Sequence, residues 1–214
     1  ELMTPKHPPM SSRPVAVDAE YSILDVLETD EVTLVSSGIT RINETGIVDG
    51  DGNQHDVDVI VFATGFRAND FLWPMTITGK DGLTIEKLWE EGGPRAYLGC
   101  MMPGFPNLWA LYGPNTNGGL PVSQFHEMTM FYAMQCMEKL ILEGKREIDV
   151  KGEAYWKYNN EMDAINATKL WSDPRAHNYY FSQKHGRTAS QLPWTGFEVR
   201  NFLLKPDFDD MNID

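Results

Sequence analysis

The stretch Asp58-Val59-Ile60-Val61-Phe62-Ala63-Thr64-Gly65-Phe66 constrains this chain more than any other. Its apolar, largely β-branched run (Val57, Val59, Ile60, Val61, Phe62) predicts a strand buried on both faces, as in a parallel or mixed sheet. The run stops at a small residue, a hydroxyl and a glycine. Ala63 and Gly65 carry almost no side chain, and Gly65 can take dihedrals closed to other residues, so backbone can approach a ligand closely there. In open α/β sheets ligands lie outside the carboxyl ends of strands, which makes Ala63 to Phe66 the first place to look. A buried strand running into an ordinary turn would leave the same trace.

Asp-x-Ile-Val-x-Ala-Thr-Gly-Phe also resembles the linker motif of flavin- and NADPH-dependent monooxygenases with two dinucleotide-binding domains. These include the Baeyer–Villiger ketone monooxygenases, the flavin-containing monooxygenases and the N-hydroxylases. The resemblance continues through Ala96-Tyr97-Leu98-Gly99, Pro103-Gly104-Phe105-Pro106-Asn107-Leu108, Gly113-Pro114-Asn115-Thr116-Asn117 and Pro193-Trp194, covering roughly Pro14 to Phe202. Ala-Thr-Gly-Phe alone is a weak signal; these blocks in this order are a strong one. They look most like the hydroxyacetophenone branch of the Baeyer–Villiger enzymes. The resemblance implies an α/β fold, the C-terminal portion of a Rossmann-like FAD plus NADP flavoprotein.

Composition limits the partners. Acidic residues outnumber basic ones by 31 to 18, a net charge of −13. Nucleic acid and anionic membrane surfaces both require a positive footprint, so neither is expected as a partner. Cys100 and Cys136 are too few for a disulfide framework or a cysteine-built metal site, and a reducing, cytoplasmic setting fits them. No apolar stretch reaches membrane-spanning length, and no signal peptide is visible.

The chain contains no GxGxxG. The family is expected to hold two such fingerprints, each placing a pyrophosphate on a helix N-terminus. Both would precede Glu1, so the chain is expected to be the C-terminal part of a longer enzyme whose N-terminal part is its partner. Residues 1–13, rich in proline and serine, read as a connector. By resemblance, residues 14–56 end the NADP-binding domain. Residues 57–206 form the C-terminal part of the FAD-binding domain with its substrate-side loops, and 207–214 are an acidic, frayed tail.

Periodicity predicts strands at Pro14–Asp18, Val32–Val35, Ile39–Ile42, Tyr97–Met102, Asn107–Tyr112 and Glu147–Val150. Asp49-Gly50-Asp51-Gly52 is a turn signal that pairs Ile47-Val48 with the strand before Ala63. Helices are predicted at Tyr21–Glu28, at Thr84–Glu91 with Thr84 as cap, from Pro121 to Glu143 ending at Gly144, and from Gly152 to about Lys169. The aromatic last 45 or so residues read as an irregular wrapping segment.

Gly113 to Pro121 is a glycine- and proline-rich loop that feeds the long helix, whose first amides are free donors carrying partial positive charge. Phosphate is one possible guest. The resemblance implies another, the pyrimidine edge of a flavin, with Asn115, Leu120 and Ser123 joining Ala63, Thr64, Gly65 and Phe66 as cofactor-binding residues. Gly118 and Gly119 would border the substrate. Trp194 either walls the substrate pocket or is plain core. An ordinary loop-to-helix turn remains the alternative for the whole stretch.

His7, His55, His126, His177 and His185 show no metal-ligand spacing, and no metal is expected. No GxSxG occurs, and Arg187 reads as a surface or structural arginine more readily than as a phosphate ligand. The family's catalytic arginine is expected upstream of this chain, so no residue here is assigned a catalytic role. The resemblance implies FAD, NADPH, O2 and a ketone that receives one oxygen atom to give an ester or lactone. The alternatives are N- or S-hydroxylation within the same superfamily, and a non-catalytic isolated domain. The chain alone is expected to be inactive.

Overall fold

The computed structural model describes residues 4–12, 17–176 and 178–214. Two compact units emerge, one of residues 1–6 and 13–66, the other of residues 7–12 and 67–214. The predicted strand at Pro14–Asp18 lies largely outside the described residues, as does His177.

In the first unit, the helix predicted at Tyr21–Glu28 is one turn, α1 (Ile23–Val26), with the Ser22 hydroxyl accepting from the Leu24 amide. Its sheet is β1 (Ile39–Ile42), β2 (Gly46–Asp49) and β3 (Gln54–Asp56), antiparallel in that order. The hairpin between β2 and β3 turns on Asp49. Its buried carboxylate accepts from the Asp51 and Asn53 amides, the Asn53 side chain and His55 Nε2 at 2.9 Å. The His55 bond and these amides hold the Asp49 carboxyl well below the usual carboxylate range. Gly46 is obligatory here, because a Cβ would come within 2.0 Å of the His55 carbonyl oxygen.

Two expectations fail in this unit. Val32–Val35 is not a strand, and neither is Val57–Phe62. The hairpin forms, but its second arm is β3 and not the run before Ala63. The expected double burial is absent: Val59 is 75% exposed, Val61 82% and Phe66 93%. The physical reason is edge pairing. The last ladder bond runs from the Val57 amide to the Thr45 carbonyl, and no described strand lies beside residues 58–62. An apolar run without neighbours on its edges has no ladder to join.

The second unit is built around α3 (Val122–Glu143). Pro121 caps it with extended dihedrals, and Gly144 ends it in the left-handed region (φ 65°), where glycine carries no Cβ penalty. Preceding it, α2 (Ile85–Leu88) is capped by the Thr84 hydroxyl, as the sequence predicts. Following it are β4 (Ile148–Val150), α4 (Gly152–Asn166), the short pair β5 (Phe181–Ser182) and β6 (Arg187–Thr188), α5 (Gly196–Leu204) and β7 (Met211–Ile213). The core joins Phe125, Tyr132, Cys136 and Leu140 of α3 to Tyr155 and Met162 of α4 and Val199 and Leu203 of α5. Fully burying side chains of this size is worth about 1.5–3 kcal/mol each.

The acidic tail is docked rather than frayed. β7 pairs antiparallel with β4 (Ile148 opposite Ile213), and Tyr97 donates to Asp210 at 2.7 Å. Nor is all of residues 1–13 a connector. Ser11 is fully buried, its hydroxyl donates to the Pro8 carbonyl, and Asn178 donates to the Ser11 carbonyl at 2.9 Å. The strands predicted at Tyr97–Met102 and Asn107–Tyr112 are irregular. Leu98 (φ 51°), Gly99 (φ 72°) and Asn107 (φ 58°) adopt left-handed dihedrals incompatible with extended chain. In the segment expected to be irregular, α5 forms behind a full capping box between Thr195 and Glu198.

Candidate functional site

The loop 113–121 owes its shape to a second segment. Residues 115–117 run alongside 189–192: the Asn115 amide donates to the Ala189 carbonyl, Asn117 to Ser190, and Leu192 to Asn117. Asn115 is buried, with φ 56°, and its side-chain amide donates to the Thr188 and Gln191 carbonyls at 2.9 Å each. Its oxygen accepts from Arg187. Asn115 was expected among the cofactor-binding residues, yet these bonds consume its side chain within the chain itself.

Arg187 is the centre of this bracing. Only 7% exposed, it donates to Asp163 through Nε and Nη2, to the Pro94 carbonyl through Nη1 and to Asn115 Oδ1. Burial pulls the guanidinium below its ordinary value, and Asp163 works against that pull. Asp163 also binds Arg95 at 2.8 Å. The structural reading of Arg187 is the one the geometry supports.

Beyond Asn117 the loop opens. Gly118 (φ 109°) and Gly119 (φ 73°) are exposed and left-handed. Gly119 is also wedged: a Cβ there would lie 2.9 Å from the Trp194 carbonyl oxygen. Leu120 is half-buried, with its side chain against Gly196, and Ser123 is exposed in the first turn of α3. No side chain caps α3 and its first turn holds no acidic residue, so its leading amides keep their donors and their partial positive charge.

Trp194 is 8% exposed, with ring centroids 5.1 Å from Tyr158 and 5.2 Å from Phe202, so within this chain its ring packs in the core. Its contribution to the loop is the carbonyl behind Gly119. Ala63, Thr64, Gly65 and Phe66 form the exposed end of the first unit, and a Cβ on Gly65 (φ 86°) would meet nothing within 4 Å.

Sequence reasoning missed the cavity of about 190 Å³ beside the loop, lined by Phe71, Tyr112, Asn117, Tyr179 and Ser190 among others. Tyr112 donates to Asn117 there at 3.0 Å. The cavity's lining includes the doublet Tyr179-Tyr180. A larger cavity of about 590 Å³ beside α2 sets Arg67, Lys87 and Lys184 against Asp70, Glu86 and Glu90, so it favours neither sign of ligand. Both thiols are buried, and burial pushes Cys136 up to about 12 and Cys100 higher, so neither is a thiolate nucleophile at neutral pH. Among the described residues no group of three or more His, Cys, Asp or Glu could hold a metal ion, and no helix is long and apolar enough to cross a membrane.

No family model matches the chain. A Baeyer–Villiger monooxygenase of Pseudomonas aeruginosa is 32% identical over 178 residues, covering 83% of this chain and 33% of its own length. The FAD-binding monooxygenase ktnD of Aspergillus niger is 30% identical over 219 residues, covering 94% and 35%. Among solved structures, an oxidized steroid monooxygenase bound to NADP matches with a TM-score of 0.79 at 26% identity, over 97% of this chain and 40% of that one. The chain spans about a third of the length of the curated relatives it matches. Its homologues are thus Baeyer–Villiger and FAD-binding monooxygenases, and its α/β fold is that of a part of such an enzyme.

Proposed function

We propose that this chain is the C-terminal part of an FAD- and NADPH-dependent monooxygenase that inserts one oxygen atom from O2 into ketones, giving esters or lactones. The observation that carries the reading is the match in sequence and fold along nearly the whole chain to monooxygenases, one of them solved with NADP. In this reading residues 14–56 end an NADP-binding domain and 57–206 belong to the FAD-binding domain. The ordered blocks at 96–99, 103–108 and 113–117 favour the hydroxyacetophenone branch. Two unpaired, buried thiols suit a reducing, cytoplasmic setting.

The residues present fit a flavin edge. Two left-handed glycines leave room before α3, and the uncapped helix start offers amides without a competing carboxylate. The flavin, when bound, supplies electron transfer from NADPH and the activation of O2. The chain's own task is placement. The amides of Leu120, Val122 and Ser123 would hold the pyrimidine edge and favour the more negative, reduced form electrostatically. Ala63 to Phe66 would give the cofactor a close backbone approach, and Gly118 and Gly119 would border the ketone. Arg187 and Asn115 hold the loop in register.

The enzyme from its native source, offered a ketone together with an amine or sulfide, tests this. Bound flavin, NADPH oxidation and an ester or lactone product are expected. An oxide or hydroxylamine would move the assignment to the heteroatom hydroxylases, and a colourless protein that leaves NADPH intact would end it.

A further inference from the structure

α3 is apolar on two faces. One face, with Phe125, Tyr132, Cys136 and Leu140, is buried in the core. The other carries Met130, Met134, Met137 and Ile141, which are 44, 57, 40 and 78% exposed, flanked by Phe131 and Leu142. Met134, Met137 and Ile141, with Phe131 and Leu142, line an open groove of about 560 Å³ whose polar contributors are Gln135 and Glu138. A helix apolar on both sides belongs between two layers, and a contiguous exposed apolar patch marks a contact site.

The spacing ties this groove to the proposed cofactor end. Residues 123, 130 and 137 recur at sevens, as do 127, 134 and 141, so at 3.6 residues per turn they share one stripe. Ser123 therefore stands at the head of the face that continues as Met130, Met134, Met137 and Ile141, over roughly 27 Å.

We propose that this face is covered by the flavin-carrying polypeptide, the remainder of the monooxygenase, packed along α3 from Ser123 to Ile141. The inference rests on the function proposed above. Three observations support it. The relatives are about three times as long as the region this chain matches, so each carries further polypeptide of its own. Ser123, in the first turn of α3, heads this same stripe, so polypeptide packed along it reaches the helix start. A second copy of the chain is the poorer occupant. Two copies would bring together chains each of net charge −13.

The three methionines are their own probes, since thioether oxidation follows exposure. The 214-residue chain and the flavin-loaded enzyme are each treated with hydrogen peroxide, and oxidation at every methionine is read by mass spectrometry. The buried Met101, Met102, Met162 and Met211 should stay unoxidised in both, which shows that the fold is intact. Met130, Met134 and Met137 should oxidise in the chain alone and lose that reactivity in the enzyme. Equal reactivity in both, with flavin absorbance present in the enzyme, overturns the docking face and leaves the proposed function standing. Protection in the chain alone, with a doubled mass in solution, assigns the face to a second copy and also overturns the inference. Absence of flavin from the enzyme refutes the functional reading independently of the methionine result.

Discussion

Two regions singled out by the same family resemblance have opposite structural characters. The Gly113–Pro121 loop is braced by Asn115, Arg187 and the backbone of 189–192, all within this chain. The Ala63–Phe66 end is bare: it is exposed, unpaired and without a neighbour around Gly65. The first region has its energetics built in, because its polar groups are satisfied at home. The second shows no such bracing: its residues are exposed, and a Cβ on Gly65 would meet nothing within 4 Å. A motif can therefore mark a finished structure or half of one, and the hydrogen-bond accounting tells them apart.

Substitutions should separate the two regions sharply. The largest effect is expected from Arg187→Ala, which strips partners from Asp163, Asn115 and the Pro94 carbonyl together. Removing one member of a buried pair costs 3–5 kcal/mol; because Asp163 is 26% exposed and keeps Arg95, about 3 kcal/mol is expected here. Denaturant unfolding measures it, and a loss below about 1 kcal/mol would mean the loop is not braced in this way.

Next comes Gly119→Ala. A left-handed position costs an L-residue about 1–2 kcal/mol, and the new Cβ meets the Trp194 carbonyl oxygen as well. Thermal unfolding should show the loss, whereas Gly144→Ala, equally left-handed but with nothing within 4 Å, isolates the backbone part.

Gly65→Val should do the reverse of Arg187→Ala. With open space around it and no ladder to break, the stability cost should be confined to the strain of its left-handed φ of 86°, about 1–2 kcal/mol and below that of Arg187→Ala. Flavin retention by the whole enzyme should nevertheless fall, since a β-branched side chain would stand where backbone approaches the cofactor. Wild-type flavin occupancy in this variant would reduce Gly65 to a turn residue.

The smallest effect belongs to Asp49. Its folded-state pKa is depressed, so its stabilisation is present above the ordinary value of 3.8 and is lost as pH falls below it. Hydrogen exchange of the β2–β3 amides should quicken in that acid range, and Asp49→Asn should weaken this dependence. An unchanged acid profile in the variant would show that another carboxylate governs the hairpin.

Local signals were readable where local physics decides. Proline and glycine bounded α3, Thr84 capped α2, and the Asp-Gly repeat turned the hairpin. The capping box at Thr195–Glu198 was equally present in the sequence, yet the surrounding aromatics masked it and α5 went unforeseen. Trp194 shows the opposite limit. A conspicuous indole next to a family motif suggests a pocket wall, but only the positions of Tyr158 and Phe202 show that it is core.

By itself, then, the sequence determined the helix ends, the turns, the acidic character and the kinship with flavin monooxygenases, because each rests on residues close together in the chain or on blocks in order. Tertiary structure alone decided that Asn115 and Arg187 serve the loop, that the tail closes a sheet with β4, and that residues 58–62 join no described strand. Those outcomes depend on partners far along the chain: 72 residues separate Asn115 from Arg187 in their hydrogen bond. Strand pairing and buried polar satisfaction are properties of neighbours in space, and no local pattern of hydrophobicity encodes which neighbours arrive.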